Sequence, residues 1–215
     1  MSTERKQVLS YDGESVSVVA DVASLVPADL GDMVVDRHGC AYVGSQARDG
    51  GVIVRVDPDD GGRAMVVADD LDFPNGMVLT PDGATLIVAE STGRRMTAFT
   101  VESDGTLSGR RVFADGLDGP PDGICLDDEG GVWVAMTLAK QFERIVDGGQ
   151  VTDRIDVGDR TAIACTLGGP EGRTLFLVTT TDAYPERLRG TRLSRLDATT
   201  VDAPAAGFVP DQHTH

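Results

Sequence analysis

Phe73-Pro74-Asn75-Gly76-Met77-Val78-Leu79 runs through the turn Thr80-Pro81-Asp82-Gly83 into Thr85-Leu86-Ile87-Val88-Ala89. Two short apolar runs, rich in β-branched residues and joined by Asp-Gly, predict a β-hairpin. The plan returns as Pro120-Pro121-Asp122-Gly123-Ile124-Cys125-Leu126, Asp127-Asp128-Glu129-Gly130 and Val132-Trp133-Val134-Ala135. Met33-Val34-Val35 with Ala41-Tyr42-Val43, and Cys165-Thr166-Leu167 with Leu175-Phe176-Leu177-Val178, are further copies. The turn glycines Gly39, Gly83, Gly130 and Gly172 are 44, 47 and 42 residues apart. A second, more polar hairpin follows each of the first three, turning at Asp60-Gly61-Gly62, Asp104-Gly105 and Gly148-Gly149. Four short strands in every ~45 residues predict all-β propeller blades. No segment has helical periodicity with caps. A sandwich is the other all-β solution, but it would not require the repeat.

The 215 residues suffice for one sizeable core. Residues 1–215 are read as a single propeller domain, with 1–10 and 206–215 loosely held. The formal net charge of −16 excludes nucleic acid and anionic membrane as natural partners. No apolar run approaches the ~18 residues of a membrane span, and the start leads into no apolar signal region. Cys40, Cys125 and Cys165 are an odd number at wide spacing, which predicts free thiols in a reducing cytoplasm. His38 in a turn and His213 and His215 in the tail are not placed for a Ser-His-Asp set. Trp133 and Phe176 fall in central strands and are expected in the core. Arg94-Arg95 and Arg110-Arg111 are expected in solvent, and Glu90 at the rim.

Asn75 and Asp122 each stand eight residues before a turn glycine, in a column that reads Gly31, Asn75, Asp122, Ala164. In a propeller the entry to each innermost strand faces the central channel, so an amide oxygen and a carboxylate share one register. Such donors suit a hard cation, calcium or magnesium, and also manganese or zinc. The plainer reading is that Pro-Asn-Gly and Pro-Asp-Gly are turn signals, as in Pro81-Asp82-Gly83. Four inner hairpins are present, preceded by an orphan strand, Ser15 to Asp21. Either the orphan completes the last blade of a closed four-bladed ring, or the chain is an arc of a larger ring. The exposed ends of an arc would favour self-association.

The segments Phe73-Pro74-Asn75-Gly76, Thr80-Pro81-Asp82-Gly83 and Ile87-Val88-Ala89-Glu90 resemble the senescence-marker-protein/gluconolactonase (regucalcin-like) family. Pro121 to Asp127 with Gly131 to Ala135, and Leu167 to Phe176, are similar to its later motifs. The resemblance runs from about Asp32 to Phe208. It implies a six-bladed propeller, here shortened to about four blades. It also implies one divalent cation, calcium first, and hydrolysis of lactones or small esters of sugars and acids. The family's metal ligands are an N-terminal Glu, an Asn and an Asp. The Asn maps onto Asn75 and the Asp onto Asp122, which the resemblance also makes the group that activates water. The family's Gly-Glu-Gly-Pro segment, which carries the Glu, is absent, and Glu14 is a superficial match. Its substrate-contacting Arg-x-Asn-Asp segment aligns with Asp29-Leu30-Gly31-Asp32, where only Asp32 is kept. Asp32 and Phe73 are the candidate substrate contacts. The expected function is metal-dependent lactone hydrolysis on a sugar-acid substrate in the cytoplasm. The alternative is a non-catalytic propeller that binds a cation, a metabolite or a protein.

Overall fold

The computed structural model describes residues 1–182, 187 and 190–207. Two compact units make up the chain: Met1–Gly93 with Ala98–Arg111, and Arg94–Thr97 with Val112–His215. The first opens with a two-stranded hairpin, β1 (Gln7–Tyr11) and β2 (Val16–Asp21). An antiparallel sheet follows in the order β3 (Leu30–Val35), β4 (Ala41–Ser45), β5 (Gly51–Asp57), β6 (Arg63–Leu71). The next sheet has the order β7 (Pro74–Leu79), β8 (Thr85–Glu90), β9 (Arg95–Val101), β10 (Leu107–Ala114); residues of β9 and β10 are divided between the units. The second unit holds β11 (Pro121–Leu126), β12 (Val132–Met136), β13 (Gln141–Ile145) and β14 (Val151–Asp156) in sequence order. Its last sheet has three strands, β15 (Thr161–Gly168), β16 (Thr174–Thr180) and β17 (Arg195–Thr200).

The predicted hairpins form where the glycines sit. Gly39, Gly83, Gly130 and Gly172 all take positive φ, between 68° and 83°, a conformation that L side chains resist. Residues of β4 and β12 are buried on both faces, which explains why they read as continuous apolar runs and not as alternation. In the first unit Val43, Val54 and Leu30 pack with Val8 and Ala20 of the hairpin, while Tyr42 and Ile53 pack with Met77, Leu86 and Phe99. In the second, Trp133, Ala135 and Phe142 pack with Ala162, Cys165, Leu175 and Leu177. Within the units, β3 lies beside β7 and β11 beside β15.

Two expectations change. The orphan strand has a partner: β2 pairs with β1, within a stretch expected to be loosely held, and not with the last sheet. Gly62 shows how closely β2 lies on the first four-stranded sheet, since a Cβ there would fall 1.9 Å from the Val19 carbonyl oxygen. The Ala- and Pro-rich stretch after β17 folds back on two inner turns: Asp128 N–H donates to Pro204 O, Ala205 N–H to Gly172 O and Ala206 N–H to Leu126 O. Residues 208–215, with His213 and His215, lie outside the described residues. Among the described residues no helix is long and apolar enough to cross a membrane.

Candidate functional site

Asn75 and Asp122 occupy the same place in their strands. Pro74 pairs with Glu90, and the register then slips before Met77 meets Val88. Pro121 pairs with Met136, and the register slips before Ile124 meets Val134. Leu30 pairs with Ser45, and the register slips before Met33 meets Val43. Asn75-Gly76, Asp122-Gly123 and Gly31-Asp32 are therefore the residues of three equivalent bulges. A bulge takes side chains out of the ladder's alternation and re-aims them. The fourth member breaks the column: Ala164 pairs directly with Val178, and the irregularity moves to Ile163.

Asn75 is 8% exposed and its amide is fixed at both ends. Its Nδ2 donates to Ser91 Oγ at 3.2 Å, and its Oδ1 accepts from Gln46 Nε2 at 3.3 Å. Gln46 was not legible as a site residue. It lies over Gly31, where a Cβ would fall 2.5 Å from Gln46 Cγ and Cδ. The missing side chain at position 31 is thus what admits the Gln46 amide. Asp122 is half-buried, and its charge bears on the Cys165 thiol of β15. Gly123 beside it faces Ala164, with room for no Cβ.

Asp32 has an exposed side chain, yet surrounding protein displaces enough water to raise its carboxyl pKa above the ordinary value. Phe73 takes φ of +60°, rare for an aromatic residue and rarer before proline. Its backbone is clamped, with its N–H on Ala47 O and its carbonyl accepting from Ser91 N–H. Strain of this kind persists only where neighbours enforce it, and here it sets the entry to Pro74-Asn75.

Other candidates fall elsewhere. Glu14 is exposed in the β1–β2 turn, where its N–H donates to Asp12 Oδ1. His38 is exposed and accepts from Arg37 Nε. Glu90, expected at the rim, is fully buried; its Oε2 accepts from Asp72 N–H at 2.7 Å. Arg110 is exposed, as expected, and its head group lies 3.7 Å from Glu90, donates to the Asp69 and Asp70 carbonyls, and stands over the Phe99 ring. Together they hold the end of β6 against β8, just ahead of Phe73. Asp127, a turn residue by sequence, is a buried anion gripped by Arg144 at 2.6 Å. Trp133 is core, as expected, and Phe176 is half-buried.

Repeated antiparallel sheets of this kind, each led by a bulged inner strand, define a β-propeller. The chain belongs to the SMP-30/Gluconolactonase/LRE-like family, whose model matches residues 1–181. A 6-deoxy-6-sulfogluconolactonase of Pseudomonas putida is 31% identical over 150 residues, covering 66% of this chain and 51% of that protein. The pentonolactonase XacC of Haloferax volcanii is 27% identical over 158 residues, covering 71% of this chain and 54% of that protein. The chain spans about half the length of these curated relatives. A solved calcium-binding protein, regucalcin from Agrobacterium tumefaciens, superposes with a TM-score of 0.75 at 20% identity, covering 96% of this chain and 73% of that one.

Proposed function

We propose that the chain is a divalent-metal-dependent hydrolase of lactones or small esters, with Asn75 and Asp122 as oxygen ligands. The observation that carries it is the shared bulge register of these two residues in a chain of the gluconolactonase family. The donors fit a hard cation: Ser91 Oγ takes the Asn75 Nδ2–H, which leaves Oδ1 as the presented atom, with a long hydrogen bond from Gln46 Nε2 upon it. A bound cation, calcium first and magnesium, manganese or zinc as alternatives, supplies Lewis-acid polarisation of the carbonyl and a lower pKa for its water. Asp122 accepts the proton as water attacks the carbonyl carbon. Asp32, with its raised pKa, hydrogen-bonds a substrate hydroxyl, and the Phe73 ring walls the sugar-acid face.

The test is hydrolysis of a panel of aldonolactones by the full chain, with and without chelator, beside Asp122→Ala and Asn75→Ala. Chelation and Asp122→Ala should each lower the rate at least about a hundredfold, the scale of a lost general base. Equal rates in all samples would end the metal-hydrolase reading. A second reading, a non-catalytic propeller holding a cation, metabolite or protein partner, is favoured by Gly31, which puts no side-chain donor at the place Asn75 and Asp122 hold in their bulges, and by Glu14, which sits in an outer turn. Calcium binding by titration calorimetry without turnover of any lactone would select it. We include self-association through the hairpin, where Tyr11, Val16 and Val18 are exposed; a monomer by gel filtration would remove it. A cytoplasmic location completes the proposal.

A further inference from the structure

Two cysteines that the lactonase chemistry does not use meet inside the second unit. Cys125 on β11 and Cys165 on β15 are 9% and 8% exposed, and their sulfurs are 3.7 Å apart. The Cys125 thiol points at Cys165 Sγ, and the Cys165 thiol donates to Trp133 O at 3.4 Å, with Gly123 O at 3.8 Å. The two strands are already pressed together beside them, since a Cβ at Gly123 would fall 2.8 Å from Ala164 Cα. A disulfide needs ~2.05 Å between sulfurs. The remaining gap, about 1.7 Å on that standard, is within the sweep of a χ1 rotation at either cysteine. Cys40 sits apart in the first unit, against Arg55 Nη2 at 2.9 Å.

We propose that Cys125 and Cys165 are an oxidative modification site, a vicinal thiol pair that closes to a disulfide under hydroperoxide and staples β11 to β15 directly behind Asp122. One sulfur attacks a peroxide oxygen, the O–O bond breaks, and water leaves a sulfenic acid on that cysteine. The second sulfur attacks the first, the S–OH bond breaks, and a second water leaves. Two thiols lose two electrons to one peroxide, and both thiol protons end in water. The hydrogen bond with Cys125, and then burial, hold the Cys165 thiol well above the ordinary range. Cys165 therefore enters as the resolving thiol, and the pair stays reduced without a peroxide-class oxidant. Trp133, the only tryptophan, reports the event because its carbonyl accepts the Cys165 S–H hydrogen bond and its ring packs in the same cluster.

The experiment treats the full-length chain with one equivalent of hydrogen peroxide, blocks remaining thiols, and measures intact mass, peptide links and Trp133 fluorescence. The expected product has lost two hydrogens, retains one blockable thiol at Cys40, and yields a Cys125–Cys165 linked peptide. Its fluorescence changes and returns with dithiothreitol. Cys40→Ser should form the same link and keep no blockable thiol, whereas Cys125→Ser and Cys165→Ser should form no link. Three blockable thiols after treatment, oxygen added to single cysteines as the end product, or a link through Cys40 or between chains would each overturn the proposal. The wild-type mass and peptide map decide the matter even if a serine variant folds poorly.

Discussion

Replacing Asp127 with alanine should cost this protein about 3–5 kcal/mol, the scale of removing one partner from a buried ion pair. Asp127 is 1% exposed. Its Oδ2 accepts from Arg144 Nε at 2.6 Å, and its Oδ1 accepts from Arg144 Nη2, Gly131 N–H and Glu129 N–H at 3.1, 2.8 and 3.1 Å. Alanine removes all four bonds and leaves the buried Gly131 N–H without that acceptor. Arg144, whose side chain is 11% exposed, keeps Glu129 Oε2 at 3.1 Å and Thr152 Oγ1 at 3.0 Å. Glu129 is largely exposed, so this compensation is worth under ~1 kcal/mol, and the lower half of the range applies. At roughly 2–4 °C per kcal/mol for a chain of this size, Tm should fall by about 6–16 °C. Asp127→Asn keeps one acceptor oxygen and should lose about half as much. Urea unfolding followed by Trp133 fluorescence is the assay, because Trp133 pairs directly with Arg144 across β12 and β13. A loss under ~1 kcal/mol with an unchanged m-value would refute the assignment of Asp127 as the anchor of that hairpin.

Asp32→Asn should stabilise the fold at neutral pH, because the native carboxyl is raised by desolvation. The native state then binds the proton before the unfolded state does, so the wild type gains stability as pH falls through the native pKa. The advantage of Asn should therefore shrink in acid; paired melts from neutral pH to the carboxylate range check this, and an advantage that grows in acid would contradict it. Phe73→Gly should be more stable than Phe73→Ala by about 1 kcal/mol, the reverse of the usual order, because φ is positive there; denaturant melts of the two variants decide. Gly62→Ala meets both a positive φ and the Val19 carbonyl, and should cost about 2 kcal/mol or more. Hydrogen exchange should show the loss concentrated in β1–β2, and uniform exchange would argue against it.

The blades were legible because a turn glycine with positive φ announces itself between apolar runs, through Asp-Gly or Glu-Gly at Gly83, Gly130 and Gly172 and through His-Gly at Gly39. The shared column of Asn75 and Asp122 was legible from their equal spacing to the turn, but that spacing did not foretell the bulges, and it failed at Ala164, where the irregularity falls on Ile163. Strand β1 was missed, although Asp12-Gly13 supplies the return into β2, because Gln7-Val8-Leu9-Ser10-Tyr11 buries only Val8 fully. The fold-back of Ala203 to Ala206 was missed because backbone hydrogen bonds and one small buried side chain, Ala203, hold it. Glu90 and Asp127 looked like surface acids, since their cations, Arg110 and Arg144, are 20 and 17 positions away in sequence. Gln46 carried no signal of its own. Its only trace was an absence, the glycine at 31 that leaves it room.

The three bulges also separate two kinds of freedom in the chain. Residues 31, 75 and 122 lie between two ladder pairs that fix the strand on either side, Leu30 and Met33, Pro74 and Met77, Pro121 and Ile124. A change of side chain at the bulge leaves those pairs, and the cores beneath them, in register. The rim chemistry is in this sense a replaceable insert in a fixed frame. Glycine, amide and carboxylate already stand at equivalent places on this one scaffold, and the local cost of a side chain falls on a neighbour, as Gln46 over Gly31 shows.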